Sequence, residues 1–290
     1  MGEENKVSKY LFLVSMVIFG TIGIFRRLLP IDSVMLVFLR GAGGALVLTL
    51  FLLICRRHPD FDGIRRNLAK LTVSGIFLGL NWIFLFESYT YTTVATATLC
   101  YYMSPVFLII ASVFFLHETM SLPKGFCVLL AIIGMVFVSG VPESGIPQAA
   151  ELRGVVCGLA AAVFYTAMIM TSKMIHHIGA YDKTIVQLAV AAVALIPYLT
   201  VTQGWSSFQL TGLTLVLLAV VIIVHTGIAC VIYFSTMESL KAQTIAVFSY
   251  VDPITAILLS ALLLHEPMSL LNGIGAVMVL GAAVLCDKCS

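Results

Sequence analysis

One long segment of this chain occurs twice, and this duplication constrains the fold more than any other feature. Residues 99–125 contain a Tyr-x-x-Pro motif, an apolar run, a Leu-His-Glu triplet, Met-Ser and a glycine. Residues 247–273 contain the same pattern in the same order. An offset of 148 residues superposes Pro105 on Pro253 without a gap. The chain is therefore interpreted as two related halves, because repeats of this kind decide an architecture.

The composition is typical of a membrane protein. Of the 290 residues, 60% are hydrophobic and only 10% are charged, whereas soluble domains carry about 25% charged residues. The apolar runs are continuous and do not alternate, so they predict helices, each of which needs about 20 apolar residues to cross a bilayer. The polar stretch of about 15 residues after Ile54 is interpreted as a loop. Ten spans are predicted, at 9–29, 33–54, 71–90, 95–116, 124–141, 153–173, 184–202, 211–235, 243–264 and 271–286.

The positions of the cations predict the orientation of these spans. With a cytoplasmic N-terminus, 12 Lys and Arg residues lie on the inner side and three, Arg26, Arg27 and Arg153, lie on the outer side. Membrane proteins favour cations on the cytoplasmic side. We therefore predict a multi-pass protein of the cell membrane with both termini in the cytoplasm.

The repeat offset covers five predicted spans, which is an odd number. The second half therefore enters the membrane from the opposite side, as in many secondary transporters. The predicted fold is an all-α polytopic membrane protein with ten transmembrane helices in two inverted five-helix repeats. Residues 1–145 form the first repeat and residues 146–290 the second.

The pair Asp252-Pro253 lies about ten residues into the ninth span. A carboxylate at this depth is costly and usually functional. Pro253 frees the carbonyl of Ser249 from its helical hydrogen bond, so Asp252, Ser249 and Tyr250 are expected to form a polar break near the midplane. The alternative is a structural ion pair between Asp252 and Arg40.

Other polar residues within the spans permit both structural and functional interpretations. Arg40 in the second span either ties helices together or meets a substrate carboxylate. Glu87 is close enough to the outer interface to be solvated, and His225 is either an interhelical hydrogen-bond donor or a proton relay. The residues predicted to bind substrate are Asp252, Tyr250, Tyr102, Trp82, Tyr165, Glu87, Arg40 and His225.

Nothing in the sequence indicates catalysis. His117, His225 and His265 are predicted at different depths, and neither His-Glu pair has a nucleophile nearby. The two pairs are interpreted as helix ends with local hydrogen bonds. We predict no catalytic residues, no metal site and no cofactor, and the CxxC sequence at Cys286 has no second pair of metal ligands nearby.

The two segments with proline, an apolar run and His-Glu resemble the drug/metabolite transporter superfamily, and most closely its EamA branch. The resemblance covers nearly the whole chain, including Arg40 in the second span and a glycine at Gly125 and Gly273. Members of that branch usually have Gly-Glu where this chain has His-Glu. The resemblance implies ten helices around a central cavity and transport of small metabolites by alternating access.

The leading hypothesis is a secondary transporter of a small amine-bearing metabolite, an amino acid or an organic cation. Asp252 and Glu87 would meet the ammonium group, aromatic rings would cover the apolar part, and Arg40 would meet a carboxylate. Burial favours the neutral form of a carboxylic acid, so protonation of Asp252 would couple transport to protons. The partners expected are the substrate, the bilayer and protons, with no nucleic acid, in a monomer or homodimer.

Two alternatives remain open. An exchanger of organic phosphates or nucleotide sugars would use Arg40, and would be favoured if Arg40 lay inside the cavity and Asp252 outside it. A receptor or scaffold that does not transport would have no water-accessible cavity at the level of Asp252.

Overall fold

The computed structural model describes residues 2–104, 106–108, 110–111, 122–138, 149–202, 204, 211–237, 248, 251–266 and 268–288. All regular secondary structure in these ranges is helical. The helices of the first half are α1 (Gly2–Gly20), α2 (Ile22–Leu28), α3 (Ser33–Ile54), α4 (Phe61–Tyr91), α5 (Val94–Tyr101) and α6 (Leu122–Val138). Those of the second half are α7 (Ala149–Lys173), α8 (Ala180–Val193), α9 (Ile196–Val201), α10 (Gly212–Val220), a π-helical segment (Val221–Ile228), α11 (Ala229–Met237), α12 (Val251–Leu263) and α13 (Leu270–Lys288).

These helices confirm the predicted fold class. Within the described residues, six helical segments are long and apolar enough to cross a membrane, and four shorter apolar helices coincide with the remaining predicted spans. α4 packs along α7 and α8, and α6 packs along α13, so helices of the two halves contact one another throughout. Because each half contributes an odd number of spans, the halves are inverted relative to each other.

The polar stretch after the second span is shorter than predicted, because α4 begins at Phe61 rather than near residue 71. The Asp60 carboxylate accepts a hydrogen bond from the Gly63 amide at 2.8 Å and caps the helix. With 31 residues, α4 is about 46 Å long and exceeds the hydrocarbon core of about 30 Å. The prediction of a loop over this whole stretch was wrong, since hydropathy alone does not detect a polar helical extension.

Asp252 and Pro253 lie in α12, whose described part begins at Val251. Ser249 and Tyr250, which were predicted to complete a polar break, lie outside the described residues, as do Pro105, His117 and Glu118.

A π-helical segment interrupts the eighth span between α10 and α11. The Ala229 amide donates to the carbonyl of Val224, five residues earlier, instead of four. The Thr226 hydroxyl donates to the carbonyl of Val221 at 3.2 Å and accepts from Arg40 Nε at 3.0 Å. Single π-helical turns are frequent at functional sites, and here the turn is in direct contact with the buried arginine of α3.

The seam between α1 and α12 depends on a glycine. A Cβ atom at Gly20 would lie 2.6 Å from the Asp252 carbonyl oxygen and 2.7 Å from Thr255 Cβ. We expect Gly20→Ala to push the helices apart and to destabilise the fold by about 1–3 kcal/mol, as overpacking typically does.

Thermal unfolding of the purified protein would measure this effect, with Gly281→Ala in α13 as the matched control. A Cβ at Gly281 meets no atom within 4 Å, so this change should leave stability unchanged or raise it by up to about 1 kcal/mol. Equal unfolding temperatures for the two variants would contradict the close contact at Gly20.

Candidate functional site

A central cavity of about 310 Å³ lies between helices of both halves. Ligand sites typically have volumes of about 300–1,000 Å³, so this cavity has room for one small metabolite. It is lined by Met16, Phe19, Ile22, Arg40, Leu78, Trp82, Leu85, Tyr89, Thr98, Tyr101, Tyr102, Tyr165, Met168, Thr184, Gln187, Leu188, Cys230, Tyr233 and Asp252. Five of the eight predicted site residues are therefore brought together: Asp252, Arg40, Trp82, Tyr102 and Tyr165.

Asp252 supplies the negative charge of the cavity. Its Oδ2 accepts a hydrogen bond from the Tyr102 hydroxyl at 2.8 Å, which joins α12 to the segment after α5. The ion pairs within the described residues are Arg27–Glu266 and Arg153–Glu87, so none involves Asp252. A partly buried carboxylate with no ion-pair partner among the described residues is costly. It is therefore suited to accept either a proton or the cationic group of a ligand.

Arg40 supplies the positive charge and is held on two sides. Its Nε donates to the Thr226 hydroxyl at 3.0 Å, and its guanidinium carbon lies 4.0 Å from the centre of the Trp82 ring. The Phe86 ring lies 5.8 Å away. A stacked guanidinium is oriented by cation–π attraction and keeps further N–H donors for other partners. The alternative of a structural ion pair between Asp252 and Arg40 is not observed among the described residues.

Aromatic rings form much of the cavity wall. The Tyr101 ring lies 5.8 Å from the Tyr102 ring and 5.3 Å from the Tyr165 ring, measured between centroids. Tyr89 and Tyr233 line the cavity as well. Such a wall can cover an apolar group or attract a cation through ring faces.

Two predicted site residues do not line this cavity. Glu87 faces Arg153 at 3.9 Å, where its side chain is one-quarter exposed. His225 is buried and shares a hydrogen bond of 2.7 Å with the Thr21 hydroxyl. This contact matches the interpretation of His225 as an interhelical hydrogen-bonding group. Tyr250 lies outside the described residues.

Sequence reasoning missed several lining residues, among them Gln187 on α8. Its amide nitrogen donates to the Ser74 hydroxyl at 2.5 Å and to the Ser172 hydroxyl at 2.9 Å. Gln187 is 5% exposed and carries no charge, so nothing distinguished it from other polar residues in the spans. Position in a span indicates depth, but not the direction in which a side chain points.

Glu266, which follows α12, joins three helices at one end of the bundle. Glu266 Oε1 accepts from Arg27 Nη2 at 3.0 Å, and Oε2 accepts from the Val94 amide at 2.8 Å. The Ser260 hydroxyl also donates to Oε2. One carboxylate thus joins the ends of α2, α5 and α12, one helical turn from Thr98 in the cavity wall. We name these four residues the terminal cluster.

Comparisons with known proteins agree with the helical architecture. The model of the EamA-like transporter family matches residues 8–140 and 152–286. An uncharacterized transporter YxxF of Bacillus subtilis (strain 168) is 28% identical over 98% of this chain and 90% of its own length. An uncharacterized transporter of Archaeoglobus fulgidus is 26% identical over 94% of this chain and 93% of its own length. A protein of known crystal structure has a similar fold, with a TM-score of 0.65 and 17% identity over 97% of both chains.

Proposed function

Because this chain belongs to the EamA-like transporter family, it is a multi-pass membrane transporter and not an enzyme, and we propose that it carries a small amine-bearing metabolite. The substrate is an amino acid or an organic cation. Asp252 carries this proposal, since it is the acidic side chain among the described lining residues of the central cavity. An ammonium group placed beside it would supply the opposite charge that the described ion pairs do not provide.

The alternative of a phosphate exchanger is less well supported. It would be favoured if Arg40 lay in the cavity and Asp252 did not, but both line the same space. A phosphate would bring two negative charges close to a carboxylate that repels them. A zwitterion is compatible with both charges, whereas an organic cation or an organic anion is compatible with only one of them.

The inverted repeats support transport by alternating access. In such proteins the two halves move against each other around a site near the midplane. The terminal cluster joins three helices at one end of the bundle, and the cavity lining reaches Thr184, in the first turns of α8, toward the other end. The charge distribution supports a cytoplasmic location for both termini, which places the terminal cluster on the outer side. The boundary between the repeats at residues 145 and 146 stays a prediction.

Proton coupling is the simplest mechanism for releasing a bound amine from Asp252. Protonation removes the negative charge, after which the ammonium group loses its partner and can leave. The reverse movement of the empty transporter would then occur with a neutral carboxylic acid inside the bundle, which avoids the cost of a buried charge.

Thermal unfolding in detergent tests the proposal directly. Amino acids, quaternary amines, polyamines and organic phosphates would be compared at equal concentrations, with uptake into proteoliposomes as a second readout. A ligand that binds the folded state stabilises it by about 2.7 kcal/mol at one hundred times its Kd. Stabilisation by amines supports the proposal, whereas stabilisation confined to phosphates would transfer the central role to Arg40.

Arg40→Lys should separate two kinds of amine. Lysine keeps the charge but cannot reproduce the stacked, planar guanidinium. We expect amino acids to bind roughly 10-fold more weakly, since a hydrogen bond to a charged group contributes about 1.5–3 kcal/mol.

The matched ligand for this test is the amine left when the carboxylate of the best amino acid is removed. Its affinity should change little, because it lacks the group that Arg40 recognises. Parallel losses for both ligands in isothermal titration would show that Arg40 supports the cavity without contacting the carboxylate.

A further inference from the structure

A second, larger cavity lies outside the central site. Its volume is about 1,210 Å³, and it is bounded by α4, α7 and three helical residues that follow α5, Phe107, Ile110 and Ala111. Phe77, Phe107, Val163 and Met170 contribute apolar walls. Thr166 and Thr171 also line it, but both hydroxyls donate to carbonyls of their own helix, so they require no further partner. We name this space the lateral groove.

Three basic residues line one end of the lateral groove: Lys70, Lys173 and His176. Lys70 Nζ donates to the Met174 carbonyl at 2.8 Å, which places the α4 and α7 cations at the same level. No Asp or Glu is among the described residues that line the groove. The mouth is therefore basic while the interior is apolar.

The level of this mouth can be estimated in two independent ways. Lys173 is the last residue of the span Ala149–Lys173, so it lies at the membrane boundary. α4 is about 16 Å longer than the hydrocarbon core is thick, so about ten of its residues lie outside the core. Lys70 is the tenth residue of α4 and therefore lies where the helix enters the core. Both estimates place the cations at the headgroup level.

The depth of the groove corresponds to one leaflet of the bilayer. On α7 its lining extends from Lys173 to Val163, which is about 15 Å along the helix. Half of the hydrocarbon core is also about 15 Å. A phosphate at the mouth and an acyl chain along Met170 and Val163 would thus match the chemistry of the groove at both ends.

We propose that the lateral groove is a binding site for an anionic phospholipid of the leaflet that faces Lys70 and Lys173. The phosphate lies between the two ammonium groups, and one acyl chain fills the apolar interior. Basic sites between transmembrane helices bind anionic headgroups in this way. The lipid would contact α4 and α7 outside the central cavity, and would link these helices to the bilayer.

Native mass spectrometry of the delipidated protein tests this proposal, with phosphatidylglycerol and phosphatidylethanolamine as probes. We expect wild type to retain phosphatidylglycerol preferentially. Lys70→Gln with Lys173→Gln should weaken its binding about 30-fold, or about 5-fold per lysine. Arg65→Gln with Arg66→Gln removes two cations of α4 that do not line the groove, and should preserve the preference.

Two further variants and one competing ligand keep the test decisive if loss of Lys70 disturbs the fold. Lys173→Gln alone changes an exposed side chain and should still lower the affinity, and Ala167→Phe should lower it by filling the groove without changing charge. Glycerol 3-phosphate carries the headgroup charge without an acyl chain and should not compete. Equal retention of the two lipids by wild type, unchanged binding to the double lysine variant, or full competition by glycerol 3-phosphate would overturn the proposal.

Discussion

Asp252→Asn is expected to weaken amine binding by roughly 10- to 100-fold, because it removes a charge-assisted hydrogen bond, which contributes about 1.5–3 kcal/mol. The substitution preserves the size of the side chain and an oxygen that can accept from Tyr102, so the fold should survive. Isothermal titration and proteoliposome uptake with the best amine ligand would measure the loss. Retained affinity in the variant would exclude Asp252 as the amine partner.

The pH dependence provides a second test of the same residue. Protons and amines compete for the carboxylate, so the apparent affinity of wild type should fall as the pH is lowered. The asparagine variant has no carboxylate at this position and should show a weaker, nearly constant affinity over the same range. A wild-type affinity that rises at low pH would have the wrong sign and would contradict competition at Asp252.

Tyr102→Phe is the matched control for this pair of experiments. It removes the hydroxyl that donates to Asp252 at 2.8 Å but keeps the charge and the ring. We expect a loss of about 5-fold, since one hydrogen bond contributes about 0.5–1.5 kcal/mol. A loss as large as that of Asp252→Asn would indicate that Tyr102 itself contacts the ligand or controls the position of the carboxylate.

The architecture was largely predictable from the sequence. Apolar runs and an odd repeat offset are sufficient to predict ten helices in two halves, and the resemblance to the EamA branch is confirmed by the match of both halves to the family. The polar start of α4 and the π-helical turn at Thr226 were not predicted. Both depend on local hydrogen bonds, by Asp60 and by Thr226, that leave no trace in hydropathy.

The candidate site was predictable in part. The position of a residue within a predicted span indicates its depth in the membrane, but it does not indicate which way the side chain points. Asp252 and Arg40 were selected by depth and Trp82 as an aromatic ring, and packing turns all three toward the central cavity. His225 is at a comparable depth, but it faces Thr21 between α1 and the π-helical segment. The direction of a side chain in a span depends on which helices surround it, and a single sequence without periodic polarity does not contain that information.

Glu266, the carboxylate of the terminal cluster, was interpreted from the sequence as part of a helix end. It follows α12 as expected, and its amide donates to the Ser260 carbonyl at 3.3 Å. Its carboxylate, however, also contacts Arg27 and Val94, which are 239 and 172 residues away. Contacts over such separations are established by the packed bundle, so the terminal cluster could not be found from local sequence.

Glu266→Gln is expected to open the end of the bundle at the terminal cluster more often. The substitution removes the charge that holds Arg27, the Val94 amide and the Ser260 hydroxyl together. Arg27 is one-third exposed, so solvent compensates part of the lost interaction. A remaining cost of about 1–2 kcal/mol corresponds to roughly 5- to 30-fold more of the open state.

A cysteine at Thr98 would report this change, since Thr98 lines the cavity one turn below the terminal cluster and is 2% exposed. In a background without other cysteines, labelling of Thr98→Cys by a membrane-impermeant maleimide should accelerate when Glu266→Gln is added. Comparison of intact cells with inside-out vesicles would also establish which side of the membrane the cluster faces.

Glu87→Gln is the control that separates closure from general charge loss. It breaks another Glu–Arg ion pair, with Arg153 at 3.9 Å, but Glu87 has no described contact with α5 or α12. We therefore expect it to leave the labelling rate unchanged. If both substitutions accelerated labelling equally, the closed end would depend on net charge and not on the terminal cluster. If only Glu266→Gln did so, a single carboxylate joining three helix ends would control access to the cavity in which Asp252 lies.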